Sequence, residues 1–362
     1  MVYRAIGLMS GSSLDGLDIV FAEFHENAGK WSHEIIHAEC YPYTAEWVEK
    51  LKKATSLSAL DYQLLHTAYG HYLGQQVNRF IEEKGLHYKV ALVASHGHTT
   101  FHIPAQKMTA QLGDGAAIAA TTQLPVVTDL RAMDIAFGGQ GAPIVPIGEK
   151  LLLQEADYYL NIGGIANISF SGETYKAYDV CPANRVLNML ANDAGKEYDA
   201  GGAMAALGII DVQLLEKLNA LEYYKLPYPK SLANNMGTDL IYPMIKKTGI
   251  GINDALRTYT EHIALQTANA ISSSKLNGEE KKLLVTGGGA LNTFLLQRLQ
   301  ELVAKNQVSI VVPDEKLVNY KEALIMALIG VLRWREETNV LSSVTGARRD
   351  SVGGAMWMGQ EE

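Results

Sequence analysis

Cysteine is scarce in this chain. Cys40 and Cys181 are the only two in 362 residues. They lie far apart and outside any C-x-x-C spacing, which leaves neither a disulfide framework nor a thiolate metal motif and points to a reducing, cytoplasmic setting. Long apolar runs are missing as well. Nothing approaches the roughly 20 residues that a membrane helix needs, and the opening MVYRAIGLMSGSSLDG holds too short an apolar run for a signal peptide. There is no excess of positive charge: the formal net charge is −8. That argues against a non-specific nucleic-acid binder, though not against anions held by backbone amides. Two nucleotide signatures are absent too. No G-x-x-x-x-G-K-[ST] occurs, and no G-x-G-x-x-G follows a strand, so neither a P-loop nor a Rossmann fingerprint is present.

What remains is an ordinary globular composition, 48% hydrophobic and 19% charged, in a chain long enough for two domains. Strand-like YRAIGLM and LDIVFAEF flank the polar turn SGSSLDG and read as a buried hairpin. Residues 45–84 carry helical periodicity through Leu64, Leu65, Ala68, Tyr72, Leu73, Val77 and Phe80. A strand KVALVAS, a helix GAAIAATT and a strand LPVVTD follow, and DLRAMDIAFGGQGAPIVP has the chemistry of an inter-lobe passage or a cleft-lining loop. From residue 157 the opening grammar repeats, with strand DYYLNI, glycine turn, strand ISF and strand TYKAYD. Helices are expected near 184–193, 201–207, 211–220, 236–247, 253–274, from about 291, and over 320–336, with a strand KKLLVT before the last two. The coarse echo between the halves suggests two related α/β lobes with a ligand between them.

Three glycine turns follow apolar strands: LMSGSSLDG (8–16), LNIGGIAN (160–167) and LVTGGGALN (284–292). Glycine permits positive φ and close approach of backbone amides, and converging amides make an anion site to which the hydroxyls of Ser10, Ser12 and Ser13 add donors. The third turn precedes a helix, whose N-terminus can serve a nucleotide. Plain tight turns with nothing bound are the alternative.

The blocks GLMSGSSLDGLD, HGHTTFHIP, VVTDLRAMDIAFGGQGAPIVP, LNIGGIANIS, YDVCPANRVLN, TGGGALN and SVTGARRD resemble, in order and from residue 6 to about 355, the anhydro-N-acetylmuramic acid kinases. These belong to the superfamily of sugar kinases, actin and Hsp70-type ATPases. The resemblance implies a two-lobed α/β fold of the actin-like ATPase type, each lobe a ribonuclease-H-like mixed sheet flanked by helices. Residues 1–128 with about 337–362 would form the N-terminal lobe, and 129–336 the C-terminal lobe. It implies ATP and Mg²⁺ as cofactors, a small anhydro sugar as substrate, and a homodimer. The reaction would be hydrolysis of the 1,6-anhydro bond of 1,6-anhydro-N-acetylmuramate with phosphorylation of O6. Gly11, Ser12, Ser13, Leu14, Asp15, Gly16, Leu17 and Asp18 would meet the phosphates. Asn161, Gly163, Gly164 and Asn167 would face them, and Gly287, Gly288, Gly289 and Asn292 would lie near the adenosine. His96, Thr99, Asp129, Arg131 and Glu322 would contact the sugar, and Asp179 would be the general base.

Several of these residues have a second reading. Asp179 can instead cap the helix that follows it. Asn319 and Glu322 can form a capping-box variant opening the last helix. Asp129, Arg131 and Asp134 can be an ion-paired loop support, while His96, His98 and His102 read better as structural or sugar-lining groups than as metal ligands. The chain also departs from the family. Asp179-Val-Cys-Pro-Ala-Asn stands for Asp-Thr-Gly-Pro-Gly-Asn, and YPKSLANN keeps Lys230 and Ser231 but lacks the Arg and Glu of Pro-Pro-Lys-Ser-Thr-Gly-Arg-Glu. Alternatives are therefore a same-fold kinase of a different sugar, or an ATP-driven switch of the actin or Hsp70 kind.

Overall fold

The two apolar runs that open the chain are covered on both faces, as strands inside a helix-flanked sheet must be. The computed structural model describes residues 1–359 except 12, 229, 233, 234, 275, 277 and 279. In it β1 (Val2–Ser10) pairs antiparallel with β2 (Gly16–Asn27), and β2 with β3 (Lys30–Pro42). On its other side β1 runs parallel to β4 (Leu92–Ser95). A separate hairpin, β5 (His98–Ile103) with β6 (Met108–Leu112), follows. The main sheet then continues through β7 (Val126–Thr128), parallel to β4, and ends on a short antiparallel strand, Ala355–Trp357. The order from one edge is β3-β2-β1-β4-β7 and then Ala355–Trp357. The periodic stretch 45–84 is two helices, Ala45–Lys53 and Ala59–Lys84. They separate because Ser58 caps the second, accepting from the amide of Asp61.

The second unit repeats this plan. β8 (Tyr158–Ile162), β9 (Ile165–Ser171) and β10 (Tyr175–Pro182) form an antiparallel meander, and β8 runs parallel to β11 (Lys281–Thr286), which runs parallel to β12 (Val308–Val311). The order is β10-β9-β8-β11-β12. In both units the third, second and first strands of a meander continue into two parallel strands, the ribonuclease-H-like arrangement that the resemblance implies. The core of this unit gathers Tyr158, Leu160 and Ile162 of β8 with Leu256, Tyr259 and Ile263 of the helix Ile252–Ser274.

The chain divides into Met1–Leu153 together with everything from Tyr320 onward, and Gln154–Asn319. The expected boundaries at 128/129 and about 336/337 are thus displaced. The cause is packing of the helix Glu315–Trp334 on the first sheet. A Cβ on Gly7 of β1 would lie 1.9 Å from the carbonyl of Ala323, and one on Gly330 2.5 Å from Cβ of Ala94 in β4. Residues 146–153 stay with the same unit. A Cβ on Gly148 would meet Ile325 at 2.4 Å, and Lys321 Nζ donates to Glu149 Oε1 at 2.7 Å, both side chains being almost wholly buried. The helix also begins five residues earlier than expected, with Asp314 accepting from the amide of Leu317. Asn319 and Glu322 are interior to it, and the capping-box reading falls.

Candidate active site

Asp179 closes a polar row across the second sheet. The register pairs Thr286 of β11 with Asn161 of β8, Asn161 with Asn167 of β9, and Asn167 with Asp179 of β10. Laterally paired residues share a face, so the four side chains line up at the carboxyl ends of the parallel strands β8 and β11, where open α/β sheets receive ligands. Thr286 Oγ1 donates to Asn161 Oδ1 at 3.3 Å. Just past Asp179 the register slips, between Asp179 and Cys181. Such a bulge re-aims side chains at a strand end.

The capping reading of Asp179 does not hold. The helix Asn184–Asn192 starts from Ala183, without a side-chain cap. Its first amides go to the second glycine turn instead: Ala183 N donates to the Gly164 carbonyl at 2.8 Å and Asn184 N to that of Gly163 at 3.0 Å. Ala183 holds φ −128°, so alanine in place of the family's glycine requires no left-handed backbone. Asp179 Oδ2 accepts from Ser231 Oγ at 3.0 Å and from the amide of Leu232 at 2.8 Å. Tyr223 Oη donates to the Asp179 carbonyl at 2.5 Å. Burial pushes the carboxyl above the usual range, and the bonds from Leu232 and Ser231 pull it partly back. The link from Ser231 and Tyr223 to Asp179 escapes a linear reading because it spans about fifty residues. Ala233 and Asn234 of that segment lie outside the described residues.

The third turn has a structural reason for its glycines. Gly287 sits at φ 79° and ψ 168°, and a Cβ there would lie 2.7 Å from Asn161 Oδ1. One on Gly289 would lie 2.2 Å from Cγ2 of Ile162. The turn is thereby pressed against the end of β8, and Gly288 follows it into a short 3₁₀ segment. Asn292 Oδ1 caps the helix Thr293–Val303 by accepting from the amide of Leu295 at 3.0 Å.

In the first unit, among the described residues of the turn between β1 and β2, Leu14 takes a positive φ (59°) and Gly11 and Gly16 do not. Ser13 Oγ and the Gly16 amide both donate to Asp15 Oδ1, at 2.8 and 3.0 Å. Ser12 lies outside the described residues. Leu17 is a core side chain, 1% exposed. Ser10 supports the turn from beneath: its hydroxyl lies 3.1 Å from His98 Nδ1 and accepts from Tyr43 Oη at 2.8 Å. Asp134, fully buried, accepts from Thr345 Oγ1 and the Gly141 amide, both at 2.7 Å, and so acts as loop support. Asp129 takes φ 55° and accepts from Thr128 Oγ1 at 2.9 Å.

A group of buried and half-buried titratable residues in this unit sense one another. Burial lifts Asp18 to about 6, its bond to the Cys40 thiol opposing this while Asp15 and Glu322 add to it. Burial raises Glu322, against Lys321 and Arg131, and lowers Arg131 to about 10, against Glu322. Burial, and then the Arg131 charge, bring His96 down to about 3 and lower His102. Asp18, Glu322, Arg131, His96 and His102 thus belong to one electrostatic neighbourhood. His96 Nδ1 lies 2.9 Å from the Gly97 carbonyl, which can only accept, so Nδ1 carries the proton and Nε2 is an acceptor. That Nε2 and the Arg131 Nε are buried without a protein partner among the described residues, and such atoms call for a ligand or water. Thr99 Oγ1 accepts from Gln111 Nε2 at 3.4 Å.

These features define the class: a duplicated ribonuclease-H-like α/β protein with a carboxylate at the ligand-receiving edge of its second sheet. The family model for anhydro-N-acetylmuramic acid kinase matches residues 3–359, and the chain belongs to that family. Similar curated proteins, each named anhydro-N-acetylmuramic acid kinase, come from Vibrio parahaemolyticus (33% identity, 95% of each chain) and Sulfurovum sp. (31%, 98% of this chain and 99% of the other). Another, from Shewanella amazonensis, is 33% identical over 97% of each. Among solved structures, component A of (R)-2-hydroxyglutaryl-CoA dehydratase from Acidaminococcus fermentans is similar over 90% of this chain and 96% of its own, at 13% identity and a TM-score of 0.48.

Proposed function

We propose that the protein is an ATP-dependent kinase that opens the 1,6-anhydro bond of 1,6-anhydro-N-acetylmuramate with water and phosphorylates O6, giving N-acetylmuramate 6-phosphate. The observation that carries this is Asp179: a carboxylate at a sheet edge, raised by burial and steadied by Ser231 and Leu232. A base of that kind takes a proton from attacking water at near-neutral pH. Water adds at the anomeric carbon, the C1–O6 bond breaks, and O6 accepts the phosphoryl group from ATP. Phosphoryl transfer asks mainly for positioning and charge neutralisation, the work assigned here to the turns at residues 11–18, Gly163-Gly164 and Gly287–Gly289, with Asn161 and Asn167 beside them. The amides of Gly16, Gly163 and Gly287 are spent within the protein, on Asp15 Oδ1 and the carbonyls of Ile165 and Val318, and leave that work to their neighbours. The unpartnered Nε2 of His96 suits a sugar hydroxyl donor, and the guanidinium of Arg131 suits a sugar oxygen or carboxylate. Thr99, Asp129 and Glu322 complete the set assigned to the sugar.

Mg²⁺ would accompany ATP and neutralise developing charge on the phosphates. No group of three ligating side chains occurs among the described residues, and Mg²⁺ requires none, since one or two carboxylates plus phosphates suffice. Asp15 and Asp18, beside the first turn, are the donors that fit it. A cytoplasmic homodimer belongs to the same proposal; no helix among the described residues is long and apolar enough to cross a membrane.

The test is a coupled ADP-release assay with the anhydro sugar beside glucose, N-acetylglucosamine and N-acetylmuramate. Turnover confined to a non-anhydro sugar overturns the substrate. Asp179→Asn should cost roughly 10²–10⁴-fold in kcat, the usual worth of a general base, with ATP affinity held within a few-fold. Retained turnover would remove Asp179 from that role.

A further inference from the structure

Asp179 has a neighbour whose side chain points the other way. Tyr178 and Asp179 pair in succession with Ile168 and Asn167, so they lie on opposite faces of β10. On the Tyr178 face, within Gln154–Asn319, is a cavity of about 340 Å³. Lys176 and Tyr178 of β10 line one side, Tyr228 and Lys230 another, and Asn269 and Ser273 of the helix Ile252–Ser274 a third. Nothing in the reaction above uses this space.

Its chemistry is specific. Lys176 Nζ lies 5.7 Å from the centre of the Tyr228 ring, and Lys230 Nζ lies 5.6 and 4.8 Å from those of Tyr178 and Tyr223. The Tyr178 and Tyr228 rings are 5.9 Å apart, so both ammonium groups bear on one aromatic wall. Neither lysine is ion-paired with a carboxylate among the described residues. Partial burial disfavours the charged form of Lys230, and an anion in the cavity relieves that cost. The volume suits a single ring rather than a dinucleotide. The tyrosine faces offer a stacking surface, while the Asn269 amide and the Ser273 hydroxyl can serve ring hydroxyls.

We propose that this pocket binds a phosphorylated monosaccharide, on the face of β10 turned away from Asp179. Lys230 immediately precedes Ser231 and Leu232, the two donors to the Asp179 carboxylate. The segment that grips the phosphate is the one that positions Asp179, so occupancy is transmitted to the carboxylate. That consequence rests on Asp179 being the base; the binding itself does not.

Isothermal titration with glucose 6-phosphate, glucose and inorganic phosphate tests the proposal on the full chain, with Lys176→Met and Asn269→Trp alongside. Asn269→Trp fills the cavity and keeps both charges, so it guards against a misfolded Lys176 variant; melting curves report folding of each. The expected result is one glucose 6-phosphate per chain, bound at least about tenfold more tightly than glucose or phosphate, a difference of roughly 1.4 kcal/mol. Both pocket variants should weaken it about tenfold or more. No binding at about 10 mM, phosphate binding as tight as the sugar phosphate, or affinity indifferent to both pocket variants overturns the proposal. Turnover of the anhydro sugar, assayed separately on the same sample, tells a failure of this site from a failure of the kinase assignment.

Discussion

Gly287→Ala tests whether the third turn is glycine because of the backbone and its neighbours. At φ 79° and ψ 168° the residue occupies a region essentially reserved for glycine, where another residue costs about 1–3 kcal/mol. The added Cβ would also meet Asn161 Oδ1 at 2.7 Å, the Ile162 carbonyl oxygen at 2.8 Å and its carbon at 3.0 Å. Two of those three atoms are backbone at the end of β8 and cannot swing aside, so crowding adds about 1–3 kcal/mol. The sum is about 2–6 kcal/mol. For a unit the size of Gln154–Asn319 each kcal/mol lowers Tm by roughly 2–4 °C, which predicts a fall on the order of 10 °C. Gly249→Ala is the control in the same unit, because φ is again positive, 71°, and a Cβ meets nothing within 4 Å; only the left-handed term applies, about 1–2 kcal/mol. Calorimetry with urea titrations compares the two. If Gly287→Ala melts no lower than Gly249→Ala, the crowding argument is wrong.

Two further predictions follow from the titrating groups. Ser231 donates to Asp179 and holds its pKa down, so Ser231→Ala should move the acid limb of kcat to higher pH while leaving the KM for ATP within a few-fold; an unmoved limb would show that Ser231 does not act through Asp179. His262 is pushed to about 3 by burial, with Nδ1 2.7 Å from Asn219 Oδ1 and Nε2 2.9 Å from Tyr224 Oη. Its folded pKa lies below the unfolded one near 6.5, so its contribution to stability is complete above pH 6.5 and is lost as pH falls toward 3. His262→Gln should therefore flatten the acid dependence of the unfolding constant by up to about tenfold per pH unit between pH 6 and 4; parallel curves for variant and wild type would refute it.

Residues with short-range grammar were legible. The helix Gly115–Thr122 coincides with the run GAAIAATT, and the hairpin of β1 and β2 with its flanking apolar runs. By contrast, β3 was not foreseen, because KWSHEIIHAECYP mixes charges and histidines with apolar residues and is only half-buried. Nor was the turn glycine pattern: Leu14, a poor candidate on its own, takes the positive φ because the Asp15 carboxylate ties the turn to Ser13 and Gly16. Asp179 was named through the family resemblance, yet its donors are set by a segment near 231 that no local signal connects to it. Glu322 lost its capping role because Asp314, several residues upstream, started the helix first.

The helix Glu315–Trp334, seated against Gly7 and Ala94, has a consequence for how the molecule is made. A ribosome releases residues 154–319 as one uninterrupted run, so that half can finish folding during synthesis. The half that begins at Met1 has to wait, with the notch at Gly7 open, until Ala323 has emerged from the exit tunnel. Birth order and completion order are thus reversed, and a chain that stops just past residue 319 still holds the later-born half whole.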